Sequence, residues 1–177
     1  MSPLYLFNNK LLVKNGKLAT SQDCCCDEDI EVAIYICSRS SLQDDWFDVR
    51  LNEKLIGQYQ PTQPQTSMLF VTDMNIPQAA MCILPSTGEP SDSCLCSNTT
   101  LLNTVQIQRA DFIAGFNNTI TLTCTQNNNL LNEGHLWIYT LTKNPFKIKD
   151  GIAYGTWIQT SLGAVVFRAM RFSNPWE

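Results

Sequence analysis

Apolar and polar residues alternate with a period of two along much of this chain, which is the pattern of β-strands that bury one face. The clearest runs are Ile30–Ile36, Phe47–Leu51, Ile120–Cys124 and Trp137–Leu141. Shorter candidate strands are Leu4–Phe7, Leu11–Lys14, Met68–Thr72, Met81–Leu84, Thr104–Gln108, Ile152–Ile158 and Val165–Phe172. Roughly ten strands separated by turn residues are typical of a β-sandwich. The pattern therefore predicts an all-β fold, an antiparallel β-sandwich.

The same pattern divides the chain into two parts. Asn15-Gly16 lies between two apolar runs, and this dipeptide favours the type I′ turn of a two-residue β-hairpin. We predict an N-terminal hairpin arm over residues 1–28 and a β-sandwich domain with C-terminal strands over residues 29–177. Helix signals are confined to Ala110–Gly115, which is long enough for a single turn.

Charge and hydropathy restrict the partners. The chain has 177 residues and a net charge of −4, and its 12 Lys and Arg residues are scattered. Nucleic-acid binding requires clustered basic residues, so we expect no nucleic-acid partner. No run approaches the ~18 apolar residues of a membrane span, and residues 1–20 lack the apolar core of a signal peptide. We therefore expect synthesis in the cytoplasm and no membrane span.

The eight cysteines raise the sharpest chemical hypothesis. Cys24, Cys25, Cys26, Cys94 and Cys96 could gather around a zinc or iron ion, although their spacing differs from the paired C-x₂-C pattern of zinc knuckles. Cross-linking disulfides, formed once the protein leaves a reducing cytoplasm, and free thiols are the alternatives. Apart from that metal, we expect no cofactor. The cysteines on candidate strands are interpreted as small core residues: Cys37, Cys82 and Cys124.

The sequence shows no motif of a catalytic site, and we expect no enzymatic activity. His135 is the only histidine, and it begins a candidate strand at a position where polar side chains face water. No Gly-rich phosphate loop, nucleophile elbow or paired metal-ligand motif occurs. Two acidic groups could offer oxygen ligands to calcium, but we interpret them as solvated charge: Asp23, Asp27, Glu28 and Asp29, and Asp44, Asp45 and Asp48.

Aromatic residues offer a second kind of binding site. Sugar rings stack on Trp and Tyr when two or three of them are exposed together. The candidates are Trp46, Tyr59, Trp137, Tyr139, Trp157 and Trp176. We favour core or interface packing for most of them. Trp176, beside a terminal proline, is the best candidate for an anchor that inserts into a neighbouring subunit.

Three stretches resemble jelly-roll modules of the galactose-binding and carbohydrate-binding type. They are Asp45–Gly57 (DWFDVRLNEKLIG), Asp111–Thr125 (DFIAGFNNTITLTCT) and His135–Leu141 (HLWIYTL). The first resembles the hairpin of such modules, and the other two resemble their closing strands. The resemblance implies a jelly-roll-like sandwich, and it makes a host-surface glycan an alternative partner.

The N-terminal segment LLVKNGKLATSQDCCC, residues 11–26, resembles the short arm of small virion-associated proteins of bacteriophages, including those that infect cyanobacteria. This resemblance implies a structural component of the virion, assembled in the host cytoplasm. The component would be a tail, baseplate or fibre subunit or a capsid decoration protein. Such proteins are often trimers, so the resemblance also implies a homotrimer in contact with other virion proteins. Arms and edge strands suit assembly because they offer main-chain hydrogen bonds to neighbouring subunits.

Overall fold

A computed structural model describes the side chains of residues 30–38, 45–61, 66–77, 103–126, 133–158 and 172–177. For residues 6–7, 10–11, 13–14, 17–18, 100–102 and 165–171 it describes the backbone of strands alone. These residues contain thirteen strands and a short 3₁₀ helix at Arg109–Asp111. The strands are β1 (Leu6–Phe7), β2 (Lys10–Leu11), β3 (Val13–Lys14), β4 (Lys17–Leu18), β5 (Ile30–Ser38), β6 (Trp46–Leu51), β7 (Lys54–Tyr59), β8 (Thr66–Val71), β9 (Thr100–Gln106), β10 (Asn118–Gln126), β11 (Glu133–Thr142), β12 (Lys147–Ile158) and β13 (Val165–Phe172).

The longer strands form two sheets. A four-stranded sheet has the order β13-β10-β6-β7, and a five-stranded sheet has the order β12-β11-β5-β8-β9. Every neighbouring pair is antiparallel except β8 and β9, which are parallel. The prediction of an all-β sandwich is confirmed. Its assignment as a jelly roll stays a prediction.

Two strands of the four-stranded sheet, β6 and β10, follow the period-two pattern closely. In β10 the buried residues Ile120, Leu122 and Cys124 alternate with half-buried threonines. Leu122 lies opposite Val49 of β6, and Cys124 lies opposite Phe47. One face of this sheet is therefore apolar and the other is polar, as expected of an antiparallel sheet with one face in the core.

The main core lies between the two sheets. The ring of Trp157, from β12, lies 5.1 Å from that of Phe47 and 6.4 Å from that of Tyr59, which belong to the opposite sheet. At Gly57 the sheets approach so closely that a Cβ atom would lie 2.7 Å from the ring of Phe70. Glycine is needed at this position because its backbone leaves room for the ring.

A second apolar cluster lies on the opposite face of the five-stranded sheet. It consists of Ala33, Tyr35, Cys37, Leu69, Val71, Ile76, Trp137, Tyr139 and Leu141. All residues of the three central strands β5, β8 and β11 are buried except the two ends of β11. These three strands therefore bury both faces, whereas the alternation in Ile30–Ile36 predicts a single buried face.

The N-terminal residues form two small antiparallel ladders, β1 with β2 and β3 with β4. Val13 pairs with Leu18 and Lys14 with Lys17, which confirms the hairpin predicted across Asn15-Gly16. The division into an arm and a sandwich domain stays a prediction. The candidate strand Met81–Leu84 lies outside the described residues. Within the described part of the chain, no helix has the length and apolarity that a bilayer crossing requires.

Candidate functional site

A clamped loop, residues 112–117, stands at one end of the sandwich. Its base is held by Asn118, which is fully buried. The Asn118 side chain accepts a hydrogen bond from the Ile113 amide and donates one to the Ile113 carbonyl, both at 2.8 Å. The Asn52 side chain donates a further 2.8 Å hydrogen bond to Asn118 Oδ1. The Asn118 side chain therefore fixes the backbone at Ile113, and the Asn52 side chain, from the turn between β6 and β7, supports Asn118.

The C-terminal tail, residues 173–177, holds the tip of the same loop. The Gly115 amide donates a 2.7 Å hydrogen bond to the Glu177 carboxylate, and the Asn174 amide donates a 3.0 Å bond to the Gly115 carbonyl. Gly115 has a φ of 72°, a left-handed conformation that glycine adopts without steric cost. The loop tip and the tail thus support each other.

Trp176 anchors the tail to the chain's own core. Its ring packs edge-on against Phe112 at 5.0 Å, and its indole N–H donates a 3.0 Å hydrogen bond to the Ile30 carbonyl. The guanidinium of Arg109 lies 5.1 Å from the centre of the ring, within cation–π range. The structure therefore gives Trp176 partners within its own subunit. Its insertion into a neighbouring subunit stays a prediction.

Beside Trp176 lies a cluster of charges around the buried carboxylate of Glu31. One carboxylate oxygen accepts hydrogen bonds from Arg109 at 2.7 Å and from Lys143 at 2.9 Å. The other oxygen accepts one from the Thr72 hydroxyl. Lys143 also reaches Asp73 at 3.3 Å. These two cations and two anions join the start of β5 to three connecting segments.

The pKa values in this cluster follow from its contacts. Burial raises the pKa of Glu31, but hydrogen bonds from Thr72, Lys143 and Arg109 outweigh burial and lower the pKa overall. The same hydrogen bond to Glu31 raises the pKa of Lys143. A cavity of about 450 Å³ adjoins the cluster. Because both Glu31 oxygens already have donors, we interpret the cluster as a structural joint rather than a ligand site.

A groove of about 690 Å³ lies between β12, the clamped loop and the tail. We call it the C-terminal groove. Its apolar lining is Ile30, Phe116, Ile152, Ala153, Phe172 and Pro175, and its polar lining includes Thr140, Lys149, Asp150, Asn174 and Glu177. The ring of Phe116 is 73% exposed, and nearby Ile113 is 45% exposed. An apolar groove beside exposed apolar side chains is suited to binding another molecule.

Sequence patterns did not indicate this groove. Phe116 lies between Gly115 and Asn117, two residues that favour turns, so the signal present in the sequence is one aromatic residue inside a turn. Glu31 shows a similar signal, a carboxylate inside an apolar strand. Neither signal says which other segments meet these residues, because the contacts join segments far apart in the chain.

His135 does not face water as predicted. It is 1% exposed, on the outer face of the five-stranded sheet, and stacks on Trp137 at 5.2 Å and on Tyr154 at 5.7 Å. Its Nδ1 atom shares a 2.8 Å hydrogen bond with the Tyr154 hydroxyl. The water-facing interpretation was wrong because β11 lies between two other strands and its outer face carries the second apolar cluster.

The cysteines divide into three groups. Cys124 is buried and free, as expected of a small core residue, and burial raises the pKa of its thiol. Cys37 is also buried, as predicted for a core residue, and it is disulfide-bonded, which the sequence did not indicate. Cys82 and the predicted cross-linking or metal-binding residues lie outside the described residues: Cys24, Cys25, Cys26, Cys94 and Cys96. Among the described residues no group of three or more His, Cys, Asp or Glu is placed to hold a metal ion.

The aromatic candidates for sugar stacking are mostly buried. Tyr59, Trp137, Tyr139 and Trp157 are core residues. Trp46 is half-buried at the start of β6.

Of the acidic residues considered for calcium, Asp45 is buried. Asp48 accepts hydrogen bonds from Arg50 at 3.1 Å and Gln58 at 3.0 Å. The remaining ones lie outside the described residues: Asp23, Asp27, Glu28, Asp29 and Asp44.

Comparison with protein-family models, with curated proteins and with solved structures finds no match to this chain.

Proposed function

We propose that this chain is a non-enzymatic structural component of a bacteriophage particle that acts by self-association, as a homotrimer. The observation that carries the proposal is the clamped loop, which holds Phe116 in water beside the C-terminal groove. A mobile loop could bury this ring against its own chain. A fixed loop cannot, so the ring is positioned for a partner.

The absence of enzymatic activity is part of the proposal, and the chemistry of the polar residues supports it. A hydrolytic triad or dyad needs an accessible histidine or carboxylate that is not already neutralised. The chain's single histidine is buried against aromatic rings, and the buried carboxylate of Glu31 is held by two cations and a hydroxyl. These groups stabilise the fold and are poorly placed to meet a substrate.

The disulfide at Cys37 supports a working place outside the reducing cytoplasm. Disulfides persist in oxidising surroundings, which include the surfaces of released particles. The virion location itself rests on the resemblance of residues 11–26 to phage arm segments. A tail, baseplate or fibre subunit and a capsid decoration protein all fit this proposal.

The test uses purified particles of a phage whose genome encodes this chain. We expect the chain to remain with the particles through density-gradient centrifugation and to be identified there by mass spectrometry. The recombinant full-length chain should also add to particles that lack it. A protein that stays monomeric and that no particle retains would refute the proposal.

A carbohydrate-binding module is the second candidate, and Trp46 is the observation in its favour. This half-buried indole lies at the start of β6, where its carbonyl accepts a 3.2 Å hydrogen bond from the Thr125 hydroxyl. Asp48, Arg50 and Gln58 form a hydrogen-bonded polar group on nearby strand positions. Glycan-array binding that is lost on Trp46→Ala, and retained on Phe116→Ser, would favour this candidate over particle assembly.

A further inference from the structure

The strongest unexplained feature of the molecule is the exposure of Phe116. Most large apolar side chains of the described residues are buried, whereas this ring is 73% exposed. The loop that carries it is fixed at its base by Asn118 and at its tip by Asn174 and Glu177. Two separate parts of the chain, β10 and the C-terminal tail, therefore hold the loop that presents this phenyl ring to water.

The C-terminal groove has the properties that would receive such a ring. It is lined by Ile152, Ala153, Phe172 and Pro175, and its volume of about 690 Å³ is far larger than a phenyl ring. Phe116 stands on its rim. A projecting aromatic ring and an apolar recess therefore lie side by side on one surface, and such a surface can be complementary to a copy of itself.

The charged residues around the groove are also compatible with a second copy of this chain. Lys149 and Asp150 are consecutive, exposed residues of β12, and the exposed Glu177 ends the tail on the other wall. A rim that carries both signs can place a cation of one copy opposite an anion of another. A strongly acidic or strongly basic partner would meet like charge on part of this rim.

We infer that the occupant of the C-terminal groove is a second copy of this chain, whose Phe116 ring enters the groove. The inference rests on the proposed self-association and names the surface that performs it. If each copy donates its ring to the next and the rotation between copies is a third of a turn, the contacts close into a ring of three subunits.

Sedimentation velocity of the full chain over a hundred-fold range of concentration tests the inference. The variant is Phe116→Ser, and the matched control is Met74→Ser, which removes a 47% exposed apolar side chain outside the groove. Removal of an aromatic anchor from an interface is expected to weaken association about tenfold or more. The control is expected to associate like the wild type. Circular dichroism melts check that both variants stay folded.

The outcomes separate the inference from the proposed function. Association of the wild type that Phe116→Ser weakens and Met74→Ser leaves unchanged supports both. Association that neither variant changes overturns the groove as the contact surface while the proposed self-association stands. A wild type that is monomeric at every concentration overturns both.

Photo-cross-linking locates the partner surface. With p-benzoylphenylalanine in place of Phe116, we expect a product of twice the chain mass. Peptide mapping should place the new bond in residues 149–153 or 172–177 of the other copy. Cross-links that form only within one chain, or at a different surface of the second copy, contradict the inference.

Discussion

Gly134 leaves less room for a Cβ atom than Gly57 or Gly115 does, and this yields a sharp prediction. Gly134 lies in β11, opposite Ser38 of β5 and Trp157 of β12. A Cβ atom at this position would lie 1.9 Å from the carbonyl oxygen of Cys37 and 2.5 Å from the ring of Trp157. The oxygen belongs to the backbone of a central strand, and the ring is packed in the core. Gly134→Ala must therefore displace β5, Trp157 or both.

The size of the effect follows from the kind of atoms that must move. Overpacking of a core typically costs about 1–3 kcal/mol, and we expect the upper end because a main-chain atom is in the way. At about 2.1 cal/mol/K per residue, unfolding of 177 residues has an entropy of about 0.37 kcal/mol/K. A loss of about 3 kcal/mol therefore corresponds to a Tm about 8 °C lower.

Gly115→Ala is the matched control. A Cβ atom at Gly115 would have no atom within 4 Å, so only the positive φ of 72° penalises alanine. That strain is about 1 kcal/mol, or about 3 °C in Tm. Thermal melts followed by circular dichroism, at one scan rate for all three proteins, measure both changes. Equal Tm values for Gly134→Ala and the wild type would show that β11 does not pair with β5 in this register.

Three further predictions concern ionisable and sulfur-containing groups. Because the folded-state pKa of Glu31 is lowered, its contribution to stability is complete above its ordinary pKa of 4.5 and is lost as the pH falls through the folded value. The free energy of unfolding, measured with urea between pH 6 and about pH 3, should therefore fall less with acid in Glu31→Gln than in the wild type. An equal fall in both proteins would contradict the ion pairs of Glu31. The buried Cys124 thiol should react with iodoacetamide only after unfolding, as mass spectrometry of labelled peptides would show, and rapid native labelling contradicts its burial. Reduction of the Cys37 disulfide should lower the free energy of unfolding by about 2–4 kcal/mol. Urea unfolding with and without dithiothreitol measures this difference, and equal free energies of unfolding would contradict a stabilising disulfide.

The predicted strands Phe47–Leu51 and Ile120–Cys124, which lie in β6 and β10, were accurate because local pattern and final environment agree there. In β10, the alternation of Ile120, Leu122 and Cys124 with threonine is also the alternation of core and surface. Successive side chains of a β-strand point to opposite faces of the sheet. The alternation of buried and exposed positions is therefore visible in the sequence residue by residue. For β6 and β10, which bury every second residue, that is enough to assign the face of each apolar side chain.

In the five-stranded sheet, the alternation of apolar and polar residues does not predict which side chains are buried. Ala33, Tyr35 and Cys37 lie on the face away from the main core, yet each is buried. His135 lies on that face as well, which is why its predicted exposure was wrong. Burial of a second face depends on which segments pack against it, and no local period reports that.

Local sequence patterns could not predict the C-terminal groove because it forms between segments that are far apart in the chain. Phe116, Ile152 and Pro175 are far apart in sequence and meet only because the loop, β12 and the tail converge at one end of the sandwich. The sequence marked Trp176 as an anchor, and the structure places this residue against Phe112 and Arg109 of the same chain. A terminal tryptophan indicates burial, whereas the surface that buries it is set by the tertiary fold.

The central claim is that this sandwich functions by binding copies of itself. Sedimentation equilibrium of the full-length wild-type chain, under reducing and non-reducing conditions, measures this most directly. We expect a species with three times the 19.9 kDa mass of one chain. It should be present in both conditions because groove contacts rather than disulfides hold the subunits together. A single species of 19.9 kDa at every concentration would contradict the claim.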